Sequence, residues 1–264
     1  MSRMRGGCGV RLWSVELNSA VSGYLLLGSM LLFGGTVVGF GLLTFRLHPH
    51  SNLSARLGLA EVAVALVLTL AAHEGVHALV FAVFGGRPRF GAAMRGFIPV
   101  LMTRCPGAAF TRDQFLAVGL APLVVLDVAG LLLLLPDQTA PFGLSMLIIN
   151  TAGAVGDLWM AAVLTQCHAW VLVHDTDLGF DVSAPGERTD EARGLRQPRG
   201  LHPPLGRWVG LWTLLTVLLY LVLLAAAAIV RARHGDLLPI LTLSMAGGAV
   251  LTALWAAAGR VLHR

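Results

Sequence analysis

His73, Glu74 and His77 form the string HEGVH inside a long apolar stretch of a 264-residue chain. On an α-helix, residues four apart lie one turn above each other on the same face. Two imidazoles at that spacing can grip one zinc ion, and a glutamate beside them can work on a water at the metal. The surroundings make this set costly. A charged group at the centre of a membrane helix costs about 2.5–3.5 kcal/mol on insertion scales. Three ionisable side chains so close together in an apolar run call for a chemical explanation. The bland alternative is a pair of histidines hydrogen-bonded inside a helical bundle.

Two histidines do not complete a site, because catalytic zinc takes three protein ligands and keeps one position open. The candidates at membrane depth are Glu61, Asp127, Asp157 and His168. Asp157 leads on depth, since its helix is expected to run in the same direction as the HEGVH helix. Asn150, Gly153, Ala154 and Asp157 also follow i, i+3, i+4, i+7 and form one stripe. The small residues in that stripe let a helix approach a neighbour closely. Asp127 ranks second, either as the ligand or as a partner that holds a ligating histidine. Asn150 is read as a group that orients substrate or donates to an oxyanion, or else as an interhelical hydrogen bond.

The elements that must position these groups are membrane helices. Hydrophobic residues make up 56% of the chain and charged residues 12%, against about 25% charged in a soluble domain. The mean hydropathy is +0.76. Apolar runs fall at about 21–45, 59–84, 115–135, 143–173, 207–230 and 237–259, each long enough for the roughly 20 residues that cross a bilayer. The fold class is therefore an all-α integral membrane protein of about six transmembrane helices. All 19 basic residues are arginine. With the N-terminus inside, only Arg46, Arg56, Arg231 and Arg233 fall outside. That asymmetry puts both termini in the cytoplasm. The net charge of +5 follows this bias and does not indicate a nucleic-acid partner. The first apolar run is too long for a cleaved export signal.

The chain divides into residues 1–54 with the first helix, a core at 55–182, a mixed-charge cytoplasmic linker at 183–206 and a final helix pair at 207–264. The whole of 174–206 reads as linker, partly disordered, from its acids, arginines, prolines and glycines. His174 with Asp175 and Asp177 reads there as a solvated turn. Between helices two and three, Phe90, Ala92 and Met94 alternate, as do Ile98, Val100 and Met102, around Arg95-Gly96. That pattern suggests a small β-hairpin, with Pro99 confining its strand to an edge. Gly35 and Gly39 make a GxxxG of the kind close-packing helices use, which allows a homo-oligomer. Cys8, Cys105 and Cys167 lack CxxC spacing and read as free thiols.

HEGVHALVFAVFGG, then the hairpin-like region, then LAPLVVLD and NTAGAVGDLWMA, resemble the bacterial membrane family called putative zincin peptidases, related in plan to the site-2 proteases. The resemblance covers about residues 55–182. It implies His73, His77 and Asp157 as zinc ligands, Glu74 as the catalytic base, and an intramembrane zinc metalloprotease acting on membrane protein substrates. The chain carries Gly156-Asp157 where site-2 proteases carry LDG or NPDG. A different class stays open: a metal-binding transporter, or a membrane scaffold without activity. Glu74 discriminates, since transport needs no glutamate between the two ligands.

Overall fold

The computed structural model describes residues 10–17, 19–49, 59–95, 98–176 and 179–192, with positions 195, 197 and 198. Three of its helices are long and apolar enough to cross a membrane: α1 (Ser19–Leu47), α2 (Leu59–Val83) and α3 (Arg112–Leu134). The pair α4 (Ala140–Gly153) and α5 (Val155–Leu164), bent by 43°, is apolar and long enough together to form a broken fourth span or a re-entrant loop. Outward-facing Leu31, Val38, Leu42 and Phe45 on α1, Val67 on α2 and Leu132 on α3 are exposed, as lipid-facing residues are. These apolar helices fit a membrane protein. The expected fifth and sixth helices, and the stretch 201–206 before them, lie outside the described residues.

One correction concerns the run 143–173, expected as a single long helix. It breaks at Ala154, where φ is −73° and ψ 4°, and helix ends at Leu164. Gly153 and Gly156 flank the break, and a Cβ at either would touch nothing within 4 Å. Glycine weakens a helix by about 0.8–1.0 kcal/mol relative to alanine, and here no side-chain packing offsets that loss.

A second correction concerns the all-α expectation. Strands β1 (Val10–Glu16), β4 (Ala109–Thr111), β5 (Leu172–Thr176) and β6 (Gly179–Ala184) make an antiparallel sheet in the order β1-β6-β5-β4. Residues 172–176 and 179–184, expected to be linker beyond 174, are thus two paired strands. Their polar groups serve the sheet. Asp175 accepts the backbone N–H of Cys105 at 2.6 Å, His174 meets the Ser183 hydroxyl at 2.9 Å, and Asp181 faces Arg11 at 3.5 Å. Phe180 and Val182 turn into the core. Gly179 is required at its turn, because a Cβ there would lie 1.9 Å from the carbonyl oxygen of Val15.

The sheet closes one end of the helix bundle. The start of α1, the start of α3 and the end of α5 lead into strands of this sheet, and the end of α2 leads into a separate strand pair. Between sheet and helices lies the main core, with Phe81, Phe110, Phe115, Val118, Leu164, Val173 and Phe180. Four aromatic rings link its parts: Phe81 stands 5.1 Å from Phe110 and 6.0 Å from Phe115, and Phe115 stands 5.8 Å from Phe180. Phe81 is one turn after His77, so this packing sets the rotation of α2. A capping box starts α3: Thr111 accepts from Gln114 N–H at 3.3 Å, and Gln114 accepts from Thr111 N–H at 3.0 Å. Glycines let α3 and α4 touch, since a Cβ on Gly143 would fall 2.8 Å from the carbonyl oxygen of Gly130.

The hairpin is present as β2 (Arg89–Arg95) and β3 (Ile98–Arg104), with Pro99 opposite Met94. It is a two-stranded sheet, so both strands are edges. Thr103 donates its hydroxyl to the carbonyl of Glu74 at 2.9 Å, which seats β3 beside the HEGVH turn of α2. Gly35 and Gly39 on α1 face open space among the described residues.

Candidate metal centre

The rotation of α2 brings His73 and His77 to its packed face, one turn apart, with ring centroids 4.8 Å apart. The break between α4 and α5 delivers two residues to one imidazole. Asn150, near the end of α4, lies 2.9 Å from His73 Nδ1, and Asp157, in the first turn of α5, places Oδ2 3.2 Å from His73 Nε2. His77 turns its Nε2 to the same point, 3.2 Å from His73 Nε2 and 3.6 Å from Asp157 Oδ2. These three side chains form a group that could hold a metal ion.

Hydrogen-bond logic fixes what the three atoms present. His77 Nδ1 lies 2.9 Å from the backbone carbonyl of Val118. A carbonyl only accepts, so Nδ1 carries the hydrogen. Asn150 Nδ2 faces two acceptors, Asp127 Oδ1 at 2.8 Å and the Pro122 carbonyl at 3.2 Å. The amide oxygen therefore faces His73, and His73 Nδ1 also carries the hydrogen. In the neutral rings both Nε2 atoms are then lone pairs, pointed at each other and at a carboxylate. Three acceptors at 3.2–3.6 Å repel one another unless a metal ion, or a proton on one ring, lies among them. Bonds of about 2.0–2.1 Å to a tetrahedral zinc place neighbouring ligand atoms about 3.3–3.4 Å apart. The triangle fits that spacing, and the donor set of two imidazoles and one carboxylate suits zinc.

Glu74 stands next to this group in sequence and is partly buried. Its Oε2 is a buried oxygen with no hydrogen-bond partner among the described residues. An orphaned carboxylate oxygen is costly, and it leaves Glu74 free to engage a water or a substrate proton.

The remaining candidates fall elsewhere. Asp127 is not in the group that could hold a metal. It accepts from Asn150 and, through Oδ2, from Thr151 at 3.0 Å, so it supports the amide that supports His73. Glu61 sits in the first turn of α2, three turns before His73. His168 follows α5 and stacks on Trp170 with ring centroids 5.6 Å apart. The residues that sequence reasoning missed are Val118 and Pro122, which act through backbone atoms, and Thr103. Pro122 did leave a signal: a proline in the middle of an apolar run.

Cys105 and Cys167 are buried and free. Burial pushes both thiols above the usual range; a backbone N–H opposes this at Cys105, and Arg112 opposes it at Cys167.

No curated protein and no solved structure matches this chain. The family described as "Putative zincin peptidase" matches residues 66–171, the stretch that carries His73, Glu74, His77, Asp127, Asn150 and Asp157.

Proposed function

We propose that this chain is an intramembrane zinc metallopeptidase that hydrolyses peptide bonds of membrane-associated substrates. The observation that carries the reading is the convergence of His73 Nε2, His77 Nε2 and Asp157 Oδ2 next to Glu74, whose Oε2 has no hydrogen-bond partner among the described residues. The peptidase class of the family matching residues 66–171 supports it. On the same four residues we read the plan as site-2 protease-like.

His73, His77 and Asp157 would hold the zinc, which supplies Lewis acidity, lowering the pKa of a water to about 7 and polarising a carbonyl. Glu74 Oε2 takes a proton from the attacking water and later gives it to the leaving amine. Val118 and Asn150 keep the hydrogens of both rings on Nδ1, so the Nε2 lone pairs stay aimed at the metal position. The depth supports action inside the bilayer. His73 and His77 precede the end of α2 at Val83 by about 15 and 9 Å at 1.5 Å per residue.

The hairpin supplies a place for substrate. A helical peptide bond is shielded by its own hydrogen bonds, so a spanning substrate must unwind first. Either edge of β2–β3 can accept an unwound segment by strand addition, and Thr103 ties that ribbon to Glu74. By the arginine distribution, the sheet end lies on the cytoplasmic side of the bacterial cell membrane, with both termini there.

A transporter or an inactive scaffold would use the imidazoles and Asp157 but has no use for Glu74. Zinc analysis of purified parent and Glu74→Gln proteins, alongside cleavage in membranes, separates these readings. The peptidase keeps its zinc and loses turnover; a variant with unchanged membrane cleavage contradicts it.

A further inference from the structure

We propose that Pro122 is a positioning residue for the metal centre: lacking an N–H, it leaves the Val118 carbonyl free to orient His77. The proposal rests on the metal-site reading above and adds a residue to it. In an α-helix the carbonyl of residue i accepts the N–H of residue i+4. Position 122 is four after Val118, and proline has no N–H to give. The carbonyl of Val118 therefore has no i+4 partner within α3, which runs without interruption from Arg112 to Leu134 around Pro122.

A carbonyl left over in an apolar helix face needs a donor. His77 supplies it, with Nδ1 at 2.9 Å. The two needs meet: the helix requires a donor at Val118, and the metal centre requires a hydrogen on Nδ1 of His77. Val118 and Pro122 are both buried, so water does not compete for the bond.

The same proline reaches the other histidine from its carbonyl side. Pro122 O accepts from Asn150 Nδ2 at 3.2 Å, and Asn150 Oδ1 then accepts from His73 Nδ1. One turn of α3, Val118 to Pro122, thus touches the outward nitrogen of one ring directly and that of the other through one amide. Helix-interior proline is destabilising in itself. Its placement four residues after the one carbonyl that faces His77 gives that cost a chemical return.

Two variants of the full chain test this in detergent, with zinc alone as the probe and a chelator competition as the readout. Pro122→Ala restores an N–H that competes for Val118. It should raise the thermal midpoint of the zinc-free protein, because the helix gains a hydrogen bond, yet weaken zinc binding about 10–100-fold, as loss of a ligand's outer partner does. Replacing residue 122 with lactate, the ester analogue of alanine, removes the N–H again without the proline ring. Zinc affinity should return to within about threefold of the parent. A residue that served only to bend α3 would give no rescue, because the alanine and lactate proteins both lack the ring. Parent-like affinity in Pro122→Ala, or equal loss in the alanine and lactate proteins, overturns the proposal. If the alanine protein does not fold, the lactate protein decides alone, since weakened binding there contradicts it and parent-like binding supports it. A parent that binds no zinc would sink the metal reading itself, a result distinct from either of these.

Discussion

The Nε2 atoms of His73 and His77 lie 3.2 Å apart, although the hydrogens of both rings are engaged on their far nitrogens. That arrangement is one that could hold a cation. Purified protein should hold about one zinc per chain. His73→Ala and Asp157→Ala should each lower occupancy sharply, measured by metal analysis after gel filtration. Equal occupancy in parent and His73→Ala would contradict the assignment.

Asp127 and Asn150 should behave differently from Asp157. Asn150 contacts His73, and Asp127 contacts Asn150, so on the proposed reading Asn150→Ala should weaken zinc binding about 10–100-fold. Asp127→Ala should have a smaller effect in the same direction. Asp157→Ala should cost more than either, by competition against a chelator. If Asp157→Ala binds as tightly as the parent while Asp127→Ala loses zinc, the third ligand is Asp127.

Where the carboxylates stand in sequence gave the candidate group but not its division of labour. Asn150 and Asp157 share a stripe on a straight helix, and the stripe suggested one face. The break at Ala154 instead puts them on two helices, at opposite nitrogens of the same ring. The HEGVH helix and the hairpin were legible because each repeats a short local pattern. The sheet was not. Its strands come from residues 10–16, 109–111, 172–176 and 179–184, far apart in the chain, and Arg11 meets Asp181 only after the strands meet. Val118 was invisible to side-chain reasoning, since what it contributes is a carbonyl.

Helix crossings give a stability prediction in which contact length misleads. A Cβ on Gly119 would lie 2.0 Å from Met160 Cε, the far end of a flexible side chain. A Cβ on Gly143 would lie 2.8 Å from backbone atoms of α3, which cannot move alone. Gly143→Ala should therefore destabilise by about 1–3 kcal/mol and Gly119→Ala by less than that. Thermal unfolding in detergent orders the two. The reverse order would show that α3 and α4 do not pack at this distance.

Topology can be checked by labelling. Glu187 is exposed, whereas Ser183 is buried in the sheet and is a poor reporter. In a chain with Cys8 replaced, Glu187→Cys should react with a membrane-impermeant maleimide only after the cells are opened. Cys105 and Cys167 should contribute little background at neutral pH, because burial holds their thiols neutral. Their raised folded values favour the native state below the ordinary thiol range and lose that contribution as the pH climbs through the folded values. Strong Glu187→Cys labelling in intact cells would invert the orientation.

Thr103 separates substrate handling from metal binding. Thr103→Val removes one hydrogen bond to the Glu74 carbonyl, worth about 0.5–1.5 kcal/mol. Zinc affinity should stay within about threefold of the parent, a loss below 1 kcal/mol, while cleavage falls. A parallel loss of both would mean that the hairpin supports the metal centre itself.

Hydrolysis that depends on Glu74 is best tested by profiling new protein termini in membranes from cells carrying parent or Glu74→Gln chain. Removing the base should slow cleavage about 100- to 10,000-fold while zinc stays bound. The expected result is at least one membrane protein whose internal cleavage terminus appears with the parent and is absent with Glu74→Gln. Identical termini in the two membranes, with zinc bound and a phenotype on loss of the whole chain, would contradict the peptidase reading and favour a metal-binding scaffold or transporter.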